Sequence, residues 1–424
     1  MSKLTKRYGF YEYFYLFVMV IFMAQMTGGT RYYTFSISRP FPSLIPLSLT
    51  IILLLRNKIT FNNRWLKVIL LFFFCWFVAY TIKIKRYGGV YMPLWVSYLS
   101  VVIIYSYIHA AVFGKDLFLL FEQIMVGFAI ISLVLYCFQL FLPNIAKSFF
   151  SLFPDTNEGG YNFLYLYKYF YEMPERDFYS GIVRNSGCSW EPGRFSIMLV
   201  YAVCVNIFKN GKVSLNRNLI ILNIALLSTF STTGIVILFF EYFLFTLSKI
   251  SLPRLLLVLA IFVPAGFFIY NLDFVSSKFS DQINIFKNLD TFTQHLSYRG
   301  EDDPIIALER IPSIGFEFKN WLEEPILGYG YWPNSWFANN VTEFATTCGG
   351  LMQVFSVYGL ILGAFFYYCL FRSSQNISKM FGNDRGYIIF VITLMSSVAY
   401  PVFGVMFFTT IWFYGLFIID KNKK

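Results

Sequence analysis

The sequence has few charged residues and few of the side chains that soluble metalloenzymes use. Of its 424 residues only 13% are charged, whereas 57% are hydrophobic and 21% are aromatic. Soluble domains carry about a quarter charged residues. The chain has two histidines and six cysteines, with neither a CxxC pair nor a Cys/His cluster typical of a metal site. These shortages argue against a soluble globular protein and predict a chain that is solvated mainly by lipid.

Several catalytic signatures are also missing. There is no GxxxxGK[ST] phosphate loop, no GxSxG elbow and no HExxH motif, which argues against ATP hydrolysis, serine hydrolysis and zinc proteolysis. The net charge of +11 comes from short basic clusters between apolar runs, so nucleic acid is not an expected partner. We expect no metal and no cofactor. An enzyme without nucleotide needs an already activated substrate, such as a lipid-linked sugar pyrophosphate.

Apolar runs long enough to cross a bilayer recur along the whole chain. The pattern predicts an all-α fold, a polytopic transmembrane helix bundle of about 11–12 spans that forms a single integral membrane domain. The predicted spans are 12–28, 40–55, 65–82, 91–111, 117–142, 193–209, 216–230, 232–248, 253–271, 349–371, 386–402 and 403–419.

Clusters of lysine and arginine predict how the chain is oriented. The clusters at both termini and most of those between spans fall on one side, which is cytoplasmic by the positive-inside rule; the cluster 83–86 does not follow it. Two long polar segments, 143–192 and 272–348, fall on the other side and hold 17 of the 23 acidic residues. We therefore expect a multi-pass inner-membrane protein whose working surface is external.

The segment VRNSGCSWEPGRF, residues 182–194, carries the main candidate site. Proline is favoured at the first helical position, so Glu191 is predicted as an N-cap and Arg194 as a first-turn residue. Helix N-termini attract anions, and the planar fork of Arg184 suits phosphate oxygens, with Gly187 allowing a close turn between them. The alternative is an Arg–Glu pair that merely fastens the loop to the helix.

The second external segment supplies further candidates. Arg299 and Arg310 are candidate phosphate ligands, and His295 is a candidate general base because its side chain titrates near neutrality. Polar and aromatic side chains in a predicted tight turn are candidates for sugar binding, although such rings also anchor membrane interfaces; they are Tyr329, Tyr331, Trp332 and Asn334. Helical spacing is predicted across 304–324, interrupted at Pro312 and Gly315.

Two smaller features leave alternatives open. Cys188 and Cys348 both fall on the external side, where they either form a disulfide or remain independent thiols. Glu241 lies inside a predicted span, where an ionisable group is either functional or paired with a neighbouring helix.

Three segments resemble the O-antigen polymerase and ligase superfamily, of which the Wzy-type polymerases are one branch. VRNSGCSWEPGRFS is similar to the Arg-x-x-Gly…Glu-Pro signature of that superfamily. LLSTFSTTGIVI, at 226–237, looks like its Ser/Thr-Gly hairpin. EEPILGYGYWPN and the following GGLMQVFSVYGLILG, at 349–363, look like its Pro-x-x-Gly-x-Gly turn and the Gly-rich span after the large loop.

The resemblance implies a metal-independent, C-type glycosyltransferase bundle in the bacterial inner membrane, with both termini cytoplasmic and the active face periplasmic. Such a protein polymerises undecaprenyl-pyrophosphate-linked oligosaccharide into O-antigen or capsular polysaccharide, with a chain-length regulator as a possible partner. Arg184 and Arg299, with Arg194, would stabilise the departing pyrophosphate. Glu191 would accept the acceptor's proton or orient an arginine, with His295 as the alternative base.

Two alternatives remain open. One is an O-antigen ligase of the same superfamily, although the His-Asn of ligases is replaced here by Thr347, Cys348 and Gly349. The other is a flippase or transporter for the same lipid-linked sugar, which would place its polar site near the bilayer midplane.

Overall fold

The computed structural model describes most of the chain. The described residues are 4, 6–25, 41–59, 93–156, 160–170, 183–247, 273–289, 306–307, 310–328, 345–346, 350–400 and 406–418, with a few single residues within 63–81 and 264–271. The chain is mostly helical, as the sequence predicts. It divides into two compact units: unit 1 is Met1–Met26, Lys115–Phe279 and Phe381–Asn383, and unit 2 is Thr27–Gly114, Ser280–Met380 and Asp384–Lys424.

Most of the described helices lie where the apolar runs predict spans, and three others fall within the polar segments 143–192 and 272–348. In chain order they are α1 (Phe10–Gln25), α2 (Phe41–Arg56), α3 (Pro93–Phe113), α4 (Asp116–Phe141), α5 (Pro143–Phe150), α6 (Pro192–Asn210), α7 (Arg217–Ser228), α8 (Thr232–Leu247), α9 (Asp273–Lys287), α10 (Arg310–Glu323), α11 (Gly350–Met380), α12 (Gly386–Ala399) and α13 (Met406–Phe417). The predicted spans 65–82 and 253–271 fall largely outside the described residues. Among the described helices, α4 and α11 are long and apolar enough to cross a membrane.

The segment 143–192, predicted as an external loop, contains structure that the sequence reasoning did not predict. Besides α5 it holds a three-stranded antiparallel sheet of β1 (Asp155–Thr156), β2 (Gly160–Phe163) and β3 (Tyr167–Phe170). The sheet packs on α4 and α5 through an aromatic cluster in which the Phe150 ring stacks on Tyr169 at 4.9 Å. The all-α expectation is therefore correct for most of the chain and wrong for this segment. It is also wrong in segment 272–348, where β4 (Ile306–Ala307) pairs in parallel with β5 (Ala345–Thr346).

Helix α6 forms the centre of unit 1. It is buried from Pro192 to Phe208 and packs against α1, α4, α7 and α8. A helix that is apolar on nearly every side has to be enclosed by other elements or by lipid. Its N-terminus consequently lies in protein surroundings, not in open solvent, and it carries the segment with the main candidate site.

A buried polar network fastens the opposite end of α6. The Glu122 carboxylate on α4 is fully buried and accepts hydrogen bonds from Lys209 Nζ at 2.7 Å and Asn206 Nδ2 at 2.6 Å. Asn218 Nδ2 on α7 lies 3.3 Å from the same carboxylate. A buried charge needs such partners, because desolvation without them is costly. The network therefore links α4, α6 and α7 at one end of unit 1.

Unit 2 is organised around α11, which packs against α10, α12 and α13, while α13 also packs against α3. The Ser373 hydroxyl on α11 donates to the carbonyl of Ile411 and accepts the Gly415 N–H at 2.8 Å. A small hydroxyl residue facing a glycine allows two helices to approach closely, a common feature of membrane helix pairs. The contact joins α11 to α13.

The predicted interruption of the 304–324 helix is wrong. Helix α10 runs from Arg310 to Glu323 straight through Pro312 and Gly315. Pro312 falls in the first turn of the helix, where backbone N–H groups have no intrahelical acceptor, so the proline removes no hydrogen bond. Gly315 is buried in the helix, where an added Cβ would lie 2.7 Å from the Phe286 ring.

Helix α11 breaks at Gly359, and the turn that follows α10 fills the break. Gly359 has φ +72°, and the Leu360 N–H donates to the Pro325 carbonyl at 2.8 Å instead of continuing the helix ladder. A Cβ on Gly328, whose φ is +62°, would lie 2.3 Å from the Gly359 nitrogen. The two segments EEPILG and VYGLILG, which the sequence pattern groups together, are therefore in direct contact.

Candidate functional site

Residues 183–191, here called the junction loop, are held by backbone contacts to several elements of unit 1. The Asn185 N–H donates to the Ser228 carbonyl at 3.0 Å, and the Ser189 hydroxyl donates to the Ala24 carbonyl at 2.9 Å. The Lys168 N–H on β3 donates to the Gly187 carbonyl at 3.0 Å. The loop is therefore fixed against the ends of α7 and α1 and against the sheet.

Asn185 organises this loop, although the sequence reasoning did not single it out. Its buried amide nitrogen donates to Ser228 Oγ at 2.9 Å and to Ser132 Oγ at 3.2 Å, and its Oδ1 accepts the Gly187 N–H at 2.9 Å. An asparagine two residues before a glycine often makes this side-chain-to-backbone turn. The Asn-Ser-Gly spacing is thus the signal that would have identified Asn185.

Gly187 turns the backbone as the sequence predicts, and the structure adds a packing reason for it. Its φ is +52°, and a Cβ at this position would lie 2.4 Å from the Phe195 ring on α6. Glycine alone combines a free left-handed conformation with the absence of a side chain. The loop can therefore press directly against the first turns of α6.

Replacing Gly187 with alanine should destabilise the protein by about 2–4 kcal/mol, because strain at positive φ adds to an overpacked contact. The measurement is the melting temperature of detergent-purified protein. Gly211→Ala is the matched control, since Gly211 has φ +69° but nothing within 4 Å of an added Cβ. Equal losses of stability in the two variants would contradict the proposed contact with Phe195.

Glu191 occupies the N-cap position of α6, and Pro192 is the first helical residue, both as predicted. Within the described residues the Glu191 side chain makes no capping hydrogen bond, whereas its carbonyl accepts the Phe195 N–H at 3.3 Å. The half-buried carboxylate is therefore not used to satisfy the first-turn N–H groups. This leaves it available for a proton or a cation.

The N-termini of α6 and α8 converge beside the junction loop. A Cβ on Gly234, in the first turn of α8, would lie 2.4 Å from Ser196 Oγ on α6. The Ser231 hydroxyl caps α8 by accepting the Gly234 N–H at 3.2 Å. Because each helix N-terminus carries a partial positive charge, two of them side by side favour a bound anion.

Arg184 is held at this convergence by the hairpin between α7 and α8. Its Nε donates to the Thr229 carbonyl at 3.0 Å, and the side chain is half-buried. Thr229 Oγ1 in turn accepts the Ser231 N–H at 3.2 Å. The segment LLSTFSTTGIVI is thus a helical hairpin, as predicted, and its turn sets the direction of the arginine.

Arg194 is buried more deeply than its predicted role in substrate binding requires. The side chain is 2% exposed, its Nη1 lies 3.5 Å from the Met23 carbonyl, and its guanidinium lies 5.9 Å from the centre of the Trp190 ring. A cation is favourable at the C-terminal end of a helix such as α1. These contacts give Arg194 a part in fastening α1, and contact with a substrate stays a prediction.

Lys168 contacts the junction loop through its backbone N–H, a contact that the sequence does not predict. It is 3% exposed on β3, and its Nζ lies 4.6 Å from the centre of the Phe170 ring. The strand was not predicted, so nothing indicated that this lysine would lie next to Gly187. The loop thus carries Arg184 and Glu191 itself, and Arg194 lies beside its Trp190.

Two buried hydrogen-bond donors of the junction loop have no partner among the described residues: the Ser186 hydroxyl and the Trp190 indole N–H. Buried donors without a partner are rare, and a bound water, ion or ligand is one of the ways in which they are satisfied. Cys188, also in this loop, is fully buried, and burial raises the pKa of its thiol well above the usual range. The neutral thiol is a poor nucleophile.

Of the other predicted site residues, the structure describes Arg310 alone. Arg310 belongs to unit 2, where its guanidinium lies 5.6 Å from the centre of the Tyr400 ring. The remaining candidates lie outside the described residues: His295, Arg299, Tyr329, Tyr331, Trp332, Asn334 and Cys348. Among the described residues no group of three or more His, Cys, Asp or Glu side chains is arranged to hold a metal ion.

No family model and no curated protein matches this sequence. The geometry of the junction loop therefore carries the functional interpretation.

Proposed function

We propose that this protein is a polytopic inner-membrane glycosyltransferase that polymerises undecaprenyl-pyrophosphate-linked oligosaccharide repeats at the periplasmic face. The observation that carries the proposal is the convergence of the α6 and α8 N-termini with Arg184 at the junction loop. Helix ends and arginine forks together suit a pyrophosphate, and two orphaned donors of the loop supply further hydrogen bonds.

In this proposal the junction loop stabilises the leaving group. A hydroxyl oxygen of the acceptor sugar attacks the anomeric carbon of the donor, and the bond from that carbon to the pyrophosphate oxygen breaks. The electron pair stays on the pyrophosphate, where Arg184 and the helix ends stabilise the growing negative charge. Arg299, from the second external segment, is proposed to assist.

Glu191 is proposed to accept the proton that the acceptor hydroxyl loses. Its carboxylate is half-buried, is not used in helix capping, and lies at the start of α6 beside the anion-binding elements. A general base needs this proximity to the reacting hydroxyl before its pKa matters. His295 remains the alternative base, and Glu191 would then orient an arginine.

Glu191→Gln should abolish long polysaccharide chains while single repeats still reach the cell surface, because glutamine keeps the shape of the side chain and removes its basicity. The measurement is the polysaccharide ladder of a deletion strain complemented with each variant. A general base contributes about 10²–10⁴ in rate. Asp155→Asn, an exposed acid in β1, is the matched control. An unchanged ladder in Glu191→Gln would remove Glu191 from this role.

A transporter of the same lipid-linked sugar is the second candidate, and one observation favours it. Helix α11 is discontinuous at Gly359, and transporters often build substrate sites on broken helices. The deletion strain separates the possibilities. A transporter defect removes all surface glycan, a polymerase defect leaves single repeats, and a ligase defect leaves polymer that is not attached to its acceptor.

A further inference from the structure

The hairpin turn between β2 and β3 places large apolar side chains where such turns normally have small polar ones. Leu164 and Tyr165 have φ +51° and +59°, and the Leu166 N–H donates to the Phe163 carbonyl at 2.8 Å. Positive φ at both central residues is the pattern of a type I′ turn, which strongly prefers Asn-Gly. Leu164 and Tyr165 are nevertheless 61% and 56% exposed. The sequence therefore keeps two strained, exposed apolar residues at this tip.

Helix α5 presents a second exposed apolar surface. It begins directly after α4, whose last residue Phe141 is 79% exposed, and Leu152 beyond its end is 78% exposed. Ile145 projects outward while Phe150, on another face of the helix, is buried in the aromatic cluster. Helix α5 thus packs against the sheet with one face and exposes apolar side chains on another.

The hairpin and α5 are joined by aromatic contacts. The Phe163 ring, immediately before the turn, lies 5.7 Å from the ring of Phe149 and 4.8 Å from that of Phe153. The exposed apolar residues of both elements therefore belong to one packed body, and we call them the apolar rim. The rim consists of Phe141, Leu142, Ile145, Leu152, Leu164 and Tyr165.

We propose that the apolar rim is a lipid-contact surface that holds the sheet and the junction loop at the level of the bilayer surface. The rim begins at the last residue of α4, a helix long and apolar enough to cross a membrane. Helix α5 has eight residues and is about 12 Å long, so the chain stays near that level. Its exposed polar residues are Asn144, Lys147 and Ser148, and it also exposes the apolar Ile145 and Phe149, a combination found in interfacial helices.

The position of the apolar rim also determines how the junction loop meets the proposed lipid-linked substrate. This part of the inference rests on the proposed function. The β3 strand that follows the turn donates from the Lys168 N–H to the Gly187 carbonyl, so the position of the hairpin sets that of the junction loop. A lipid-linked pyrophosphate carries its phosphates where the acyl region of the bilayer ends. A rim that sits in this layer brings the converging helix ends to the height of those phosphates.

Photo-crosslinking of the full-length protein tests the rim. Benzoylphenylalanine replaces Leu152 or Leu164 in protein reconstituted into vesicles of phosphatidylethanolamine and phosphatidylglycerol, and adducts are identified by mass spectrometry. Asp155, an exposed residue of β1, is the solvent-facing control position. Val134, a 63% exposed residue in the middle of α4, is the lipid-facing control position. We expect lipid adducts at 152 and 164 at a yield similar to that at 134 and several-fold above that at 155.

The control positions separate failure of the rim from failure of the proposed function. Lipid adducts at 134 without adducts at 152 and 164 would overturn the rim and leave the membrane location intact. Protein adducts at 164, in place of lipid adducts, would replace the bilayer with a protein partner and also overturn the rim. Absence of lipid adducts at all positions, with protein that does not sediment with the vesicles, would overturn the proposed function as well.

Discussion

Arg184→Ala is expected to lower the rate of polymer formation by at least about a hundredfold, because removing one donor aimed at developing charge usually costs 10²–10³ in rate. The Thr229 carbonyl fixes the Nε of this side chain at 3.0 Å, so the other guanidinium nitrogens have a set direction. Arg184→Lys should retain part of the activity, since an ammonium keeps the charge and loses the planar fork.

The measurement is the initial rate of chain elongation by purified protein in vesicles, together with the melting temperature of each variant. Arg217→Ala is the matched control, because Arg217 is an exposed arginine at the opposite end of α7. Loss of the Thr229 hydrogen bond alone should cost about 1 kcal/mol of stability. If Arg184→Ala elongates chains as fast as Arg217→Ala does, the anion-binding role of the junction loop is wrong.

Glu122→Ala is expected to destabilise unit 1 by about 3–5 kcal/mol, because it leaves the Lys209 ammonium without its carboxylate. The Lys209 side chain is 17% exposed and that of Glu122 is 1% exposed, so water does little to replace the lost partner. Asn206 and Asn218 would each lose an acceptor as well. The measurement is the fraction of protein that stays monodisperse in detergent as the temperature rises.

The double variant Glu122→Met with Lys209→Met separates loss of the ion pair from loss of packing. Replacing both partners of a buried pair with apolar side chains is often neutral, whereas removing one partner is not. We therefore expect the double variant to regain the part of the stability that Glu122→Ala loses through the unpaired Lys209 ammonium, while the loss at Asn206 and Asn218 remains. A double variant as unstable as the single one would mean that the pair itself does not account for the loss.

The helices and the cap of α6 follow from local sequence signals. A long apolar run predicts a helix that is covered by protein or by lipid. Glu191-Pro192 predicts the start of a helix from a few neighbouring residues alone. These signals are read over a few residues and do not need the tertiary structure. For this reason the predicted helix positions and the N-cap agree with the structure.

The sheet and the break in α11 depend instead on distant contacts. The strands are two to four residues long, and their turn has Leu164 and Tyr165 where a hairpin signal would have Asn-Gly. Gly359 in the run VYGLILG reads as a tolerated glycine inside a helix, since nothing nearby indicates that Gly328 and Pro325 will meet it. Likewise the backbone N–H of Lys168 meets the junction loop because of a strand that no periodicity predicts.

The break at Gly359 makes a loop and a helix depend on each other. An amide without an acceptor is costly in a protein interior and more so in hydrocarbon, so the Leu360 N–H needs the Pro325 carbonyl. The turn at 325–328 can lie against the break in α11 because Gly359 has no side chain. If the turn at 325–328 moved away, either α11 would become continuous at Gly359 or the Leu360 N–H would lose its hydrogen bond. The turn at 325–328 and the middle of α11 are thus expected to change conformation together.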